Sequence, residues 1–154
     1  PVALSKVTMT ELVLPSHTNA LGTIFGGTVM SWVDIAAAIC AQRHSQKQVV
    51  TAHVDELTFV APVYKGWVVN LQASINFTGK TSMEVGVRVD AENPLTNERF
   101  HTASAYLTFV ALDSHGKPAL IPQIDAQSVD EKRRNQAAGA RRAHRLKMRD
   151  ELKS

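Results

Sequence analysis

Asp34 is the one charged residue between Gly26 and Gln42. A carboxylate in mid-run, among Val29, Met30, Trp32, Val33, Ile35 and four alanines, must be paired, protonated or in use. Gly26 and Gly27 open the same run. If the run is a helix, these glycines form its N-terminus, where unpaired N–H groups and partial positive charge suit an oxyanion or a phosphate. Polar groups at Thr23, Thr51, Thr58, Lys80 and Ser82 flank neighbouring segments. By themselves these residues define a buried carboxylate near an anion-friendly helix end. A structural Asp held by a backbone amide is the plainer alternative, and residue type does not separate the two.

The run from Thr28 to His44 is too apolar all round for a surface helix, so it is expected to be buried on most of its circumference. At about 100° per residue, Gly27, Met30, Ser31, Ala37, Ala38 and Ala41 share the Asp34 face, with Trp32, Ile39 and Arg43 on the far side. Small residues on that face admit either a second backbone or a ligand.

Lys6 to Leu14 alternates β-branched and polar residues and stops at Pro15, so it reads as a first strand. Ser16 to Thr23 is a turn-rich loop. After the helix come four strand candidates, over 49–61, 66–78, 82–92 and 98–112. Asp55-Glu56 breaks the alternation of the first, which predicts a bulge. The second is expected to place Val69, Leu71, Ala73, Ile75 and Phe77 on one face. The turns are Gly79-Lys80-Thr81 and Asn93 to Asn97. One strand, one long helix and four long antiparallel strands predict a curved sheet wrapped around the helix. This is the α+β arrangement known as the hotdog fold. It leaves sheet edges and a helix flank needing cover, so an isolated subunit is not the expected stable form.

A length of 154 residues, 44% hydrophobic, suits one domain with an appendage. We read residues 1–127 as the domain and 128–154 as a basic helical extension, with Ser128 and Glu131 as a capping box. The extension is expected to be solvated and weakly docked. It carries nine basic and four acidic residues, so its net charge is +5 and the remainder of the chain is −2. Global basicity is therefore no argument for nucleic-acid binding. No apolar run reaches membrane-span length and no leader precedes the first strand, so a cytoplasmic protein without a membrane partner is expected. Cys40 reads as a core residue in a reducing compartment. The six histidines never fall at metal-site spacing, and no metal is implied. No nucleophile-elbow, P-loop or dinucleotide-binding motif occurs.

The motifs also carry a resemblance. Residues 14–19 (Leu-Pro-Ser-His-Thr-Asn), 22–27 (Gly-Thr-Ile-Phe-Gly-Gly) and 30–34 (Met-Ser-Trp-Val-Asp) resemble the acyl-CoA hydrolase family of hotdog thioesterases. That family includes the brain-type cytosolic enzymes and short single-domain bacterial relatives. The likeness continues through 49–55, 59–63, 78–85, 103–105 and 116–118, covering roughly residues 5–124. It implies hydrolysis of acyl-CoA to a fatty acid and coenzyme A, with coenzyme A as product and no metal or cofactor. It places the catalytic Asp at Asp34 and the oxyanion donors around Gly26 and Gly27. Many members carry Asn where this chain has Thr23, whose hydroxyl then replaces the amide. Coenzyme A contacts are implied at Gly79, Lys80, Thr81 and Ser82, with Asn19, Phe25, Thr51 and Thr58 as further substrate contacts.

The implied chemistry suits these residues, because a thioester carbonyl is already activated and a thiolate leaves readily. One carboxylate, activating water or attacking directly, suffices beside a pre-aimed amide. A non-catalytic acyl-CoA-binding regulator and a hotdog dehydratase, with His17 as its nearest histidine, are the alternatives. Asp34 lies seven residues beyond Gly27, or about 10 Å along one helix. One carbonyl needs base and oxyanion donor each within about 3 Å. An antiparallel partner helix supplies the missing half, so a homodimer with shared sites is expected. The family implies assembly of such dimers into hexamers.

Overall fold

The computed structural model describes residues 1–126 and 128–153, without the side chains of Asp150 and Lys153. The expected domain boundary at 127 and the last residue, Ser154, lie outside the described residues. Strand β1 (Val7–Leu12) is followed by helix α1 (Gly26–Ser45). Then come β2 (Gln48–Phe59), β3 (Val68–Thr78), β4 (Ser82–Asn93), β5 (Glu98–Leu112) and helix α2 (Val129–Lys153). The five strands form one antiparallel sheet in the order β1-β3-β4-β5-β2. Helix α1 touches all five, as a helix wrapped by its sheet must.

The core is the interface between them. Val29, Val33, Ala36, Ala37, Cys40 and Ala41 of α1 meet Leu71, Ile75, Met83, Val85, Leu107 and Phe109 of the sheet, all at 2% exposure or less. Alanines let the curved sheet approach the helix closely, and each buried Val or Leu contributes about 1.5–3 kcal/mol. Burial in this layer pushes the Cys40 thiol up to about 11, so it stays protonated and inert. The helix ends at Gln46, whose left-handed φ of 57° lets its backbone N–H donate a hydrogen bond to the Gln42 carbonyl.

Three features stand against the expectations. First, the helix flank expected to need cover is open in the single chain: Gly27, Ser31 and Ile35 are exposed, Ile35 at 48%, while most of α1 is buried or half-buried. This flank stands beside β2, an edge strand whose Val50, Val54 and Phe59 are also exposed.

Second, a register shift between Ile75 and Phe77 turns Phe77 away from the Val69–Ile75 face. Thr78 pairs with the inward Met83, whereas Asn76 is buried on the outer face beside Gly86 and Glu84, and Phe77 lies beneath Gly139 of α2, 3.6 Å from where a Cβ there would stand. The bulge predicted at Asp55-Glu56 is present, with Glu56 at φ 55°, and a second shift lies between Thr51 and His53.

Third, α2 is docked rather than merely solvated. Asn135 Nδ2 donates to the Asn76 carbonyl of β3 at 3.0 Å. Arg141 donates two bonds of 2.7 Å to the buried Glu84 of β4, and its guanidinium lies 3.7 Å above the Tyr106 ring of β5. Arg145 Nη1 reaches Asp55 of β2 at 2.7 Å. Ten residues of helix rise about 15 Å, and three inter-strand spacings span about 14 Å. Successive turns of α2 therefore meet successive strands from β3 to the β2 edge. Glu84 raises the Arg141 pKa further, and Ala138 beneath the helix is 1% exposed.

Glu84 is 3% exposed at its side chain, so removing its partner would strand a buried carboxylate. Arg141→Ala is expected to lower unfolding free energy by about 3 kcal/mol, read by denaturant titration at fixed protein concentration. Arg141→Met combined with Glu84→Gln should recover much of that loss. Equal instability of the double variant would show that the charge pair is not the cause.

Candidate active site

Asp34 lies in mid-α1, half-buried, facing β2. Thr51 Oγ1 donates to Asp34 Oδ1 at 2.8 Å. The other carboxylate oxygen has no hydrogen bond among the described residues. A carboxylate held through one oxygen has a fixed orientation and a free second oxygen, as a base or nucleophile requires. The partner is therefore a side-chain hydroxyl from the next strand, not a buried amide.

Asn19 and Thr23 meet in the loop before α1. Asn19 Nδ2 lies 2.9 Å from Thr23 Oγ1, while Asn19 Oδ1 accepts the amides of Leu21 at 2.9 Å and Thr23 at 3.2 Å. The loop is further pinned where the Phe25 amide reaches the His17 carbonyl, and Ile24 that of Val63. It delivers the chain to Gly26 with Phe25 at the N-cap. Phe25 offers no side-chain cap, so the opening amides of α1 are left without one.

A cleft of about 370 Å³ lies at this end, lined by Thr23, Ile24, Gly26 and the segment from Phe59 to Val63. A Cβ on Gly26 would stand 3.5 Å from the Phe59 ring, whereas one on Gly27 would meet nothing of its own chain within 4 Å. Thr58 sits exposed beside this wall, opposite Ser104 across the β2–β5 ladder.

Gly79, Lys80, Thr81 and Ser82 form the β3–β4 turn and line a separate groove of about 610 Å³ with Gln123 and Arg142. Arg142 escaped the sequence reading, because a tail judged to be solvated gave no reason to place it beside a turn 60 residues away.

The structure thus joins Asp34 to Thr51, Asn19 to Thr23, and the 79–82 turn to Arg142. It does not join Asp34 to Gly26 and Gly27: neither Asp34 nor Thr51 lines the glycine-end cleft. His17 is engaged elsewhere, its Nδ1 accepting the Leu14 amide and its ring standing 5.1 Å from Trp32. Among the described residues no three His, Cys, Asp or Glu side chains are grouped to hold a metal.

The family model for the thioesterase superfamily matches residues 21–97, the segment that carries Thr23, the glycines, Asp34 and the 79–82 turn. This chain belongs to the thioesterase superfamily. Among its thioesterase relatives, the uncharacterized acyl-CoA thioester hydrolase YkhA of Bacillus subtilis is 42% identical over 127 residues, 82% of this chain and 74% of that protein. An apo-hexameric acyl-CoA thioesterase superposes with TM-score 0.93 at 44% identity, over 96% of this chain and 95% of its own.

The acyl-CoA hydrolase of Staphylococcus aureus was solved with butyryl coenzyme A, coenzyme A and coenzyme A disulfide. It matches at TM-score 0.91 and 37% identity, over 99% of this chain and 93% of its own. It was also solved with an aspartate, a threonine or an asparagine replaced by alanine. In that enzyme the asparagine precedes the aspartate by 15 residues and the threonine follows it by 17. Asn19, Asp34 and Thr51 have the same spacing.

In this thioesterase, Asn19→Ala would remove the acceptor shared by two loop amides. Hydrogen exchange at Leu21 and Thr23 is expected to quicken by about tenfold or more while α1 beyond Val29 stays protected. Unchanged exchange at those two amides would show that Asn19 does not order the loop.

Proposed function

We propose that this thioesterase hydrolyses acyl-CoA to a free fatty acid and coenzyme A, with Asp34 as the carboxylate that activates water or attacks the thioester. The observation that carries this reading is the Thr51 Oγ1–Asp34 Oδ1 hydrogen bond of 2.8 Å, which orients the acid and leaves one oxygen free. The shared spacing with the three substituted residues of the Staphylococcus aureus enzyme supports it. On that spacing we assign the role of the implied asparagine to Asn19 rather than to the Thr23 position. Attack at the thioester carbon forms an oxyanion, which amides at Gly26 and Gly27 stabilise, and collapse breaks the C–S bond and expels the thiolate of coenzyme A; attack by water yields the acid directly, whereas attack by Asp34 leaves an anhydride that water then hydrolyses. The proposed reaction needs no metal or cofactor. Lys80 and Arg142, with the Thr81 and Ser82 hydroxyls, suit the phosphates of coenzyme A.

Asp34→Asn keeps the shape of the side chain and removes its basicity. It is expected to lower kcat for acyl-CoA by at least ~10²-fold with unchanged thermal unfolding. Near-full turnover by a folded Asp34→Asn variant would return Asp34 to a structural role.

We further propose that each site is completed by a second copy, in a homodimer that assembles into a trimer of dimers. Three features support this: the separation of Asp34 from the glycine end, the exposed α1 flank with the β2 edge, and the hexameric relative. Gly27, open on its own chain's side, lies on that flank. The opening amides of a partner's α1 would then stand beside Asp34. No helix of the described residues is long and apolar enough to cross a membrane. A cytoplasmic setting fits the single buried thiol, and two tail arginines are engaged on the sheet rather than free for nucleic acid.

Subunit mixing tests the shared site. Asp34→Ala and Gly27→Val are each expected to be inactive, and a Cβ at Gly27 would meet nothing of its own chain within 4 Å. Each mixed dimer then holds one site with both lesions and one with neither, so about half of wild-type activity per mixed dimer should return. Absence of recovery, with heterodimers confirmed by mass, would count against the shared site.

A further inference from the structure

Helix α2 ends its crossing of the sheet on the one strand that serves both halves of the site. β2 carries Thr51, which holds Asp34, and Phe59, which lies over Gly26. It is also an edge strand paired only with β5, and it is interrupted twice, between Thr51 and His53 and between Asp55 and Thr58. Extra residues in a ladder leave backbone unpaired and free to relax. Asp55 sits between the two shifts, next to Glu56 in the left-handed region at φ 55°.

Both oxygens of Asp55 are engaged. Oδ1 stands 2.6 Å from His53 Nε2, and Oδ2 accepts Arg145 Nη1 at 2.7 Å. The Arg145 and Asp55 side chains are 19% and 20% exposed, so this pair is shielded where most surface pairs are not. Upstream, α2 is anchored by Asn135 on Asn76 and by Arg141 on Glu84. Arg145 extends that anchoring to the irregular edge strand.

We propose that Arg145 is a positioning residue for the thioesterase site: through Asp55 it fixes the β2 bulge, and so the placement of Thr58 and Phe59 against the glycine end of α1. The helix is then a strap across the sheet whose last buckle sets the active-site wall. Arg145 touches no reacting atom. Its loss shifts the wall that orients the acyl group, lowering turnover more than binding of the coenzyme A portion, which lies at the 79–82 turn. The kinetic consequence rests on the acyl-CoA reading; the mechanical one does not.

The test uses the full chain in its native assembly, with Arg145→Ala, Arg145→Lys, Asp55→Asn and, as control, Arg134→Ala in the first turns of α2. Amide hydrogen exchange at 55–59 should rise roughly tenfold in Arg145→Ala, less in Asp55→Asn, and return toward wild type in Arg145→Lys. With an acyl-CoA substrate, kcat should fall about fivefold to tenfold and KM stay within about twofold. Arg134→Ala should change neither. Unaltered exchange at 55–59 in folded Arg145→Ala overturns the strap. Faster exchange with unchanged kcat overturns the positioning role. If Arg145→Ala fails to fold, Asp55→Asn decides by the same two readings. A wild-type protein inert toward every acyl-CoA tried sinks the hydrolase reading instead, and the exchange result still judges the strap.

Discussion

A straight helix advances 1.5 Å per residue, and that rise governs how this molecule is arranged. Asp34 and the Gly26-Gly27 amides belong to the same helix, yet they stand too far apart to serve one carbonyl of one substrate. The helix cannot bend to unite them, because five strands grip it through Val29, Val33, Ala37 and Ala41. Each half of the machinery is therefore fixed rigidly and separately. The loop hydrogen bonds from Asn19 prepare one end, and the Thr51 hydroxyl prepares the other. What remains open is the flank where the two halves of different copies would meet.

Much of this was legible in the chain because burial writes itself into period. Val85, Val87 and Val89 alternate without interruption, and the strand they predict is present. Glu98 to Leu112 was bounded by turn residues at both ends and has those bounds in the structure. The break at Asp55-Glu56 announced a bulge because two adjacent carboxylates cannot both face a core. Phe77 misled because an aromatic at an in-register position looks like core. Only the bulge before it, which no residue type marks, turns it to the outer face.

The tail was misread for a related reason. Arginines on an alanine-rich helix look the same whether they face water or a carboxylate. Glu84, on the outer face that alternates with Met83, Val85 and Val87, was the missing clue: an acid buried there requires a cation from somewhere. Asp34 posed the same question and drew attention because it sat beside glycines. The candidate residues could thus be named from the chain, while the contacts that hold them could not. Thr51 could be named, but its bond to Asp34 depends on how β2 folds back along α1. Arg142 and Arg145 depend on a docking that no local pattern encodes.

The two rims of the sheet are unlike. β2 offers twelve residues with exposed Val50, Val54 and Phe59, whereas β1 has only six, with Thr8, Thr10 and Leu12 exposed and Met9 and Glu11 half-buried. Sheets joined rim to rim through β2 would end on both sides in β1. Short strands with polar side chains are poor templates for further pairing. Growth of the sheet is consequently self-limiting. A pair of copies joined that way would close off, and any larger particle would need contacts other than strand addition. A chain with two equally inviting rims would instead polymerise into ribbons.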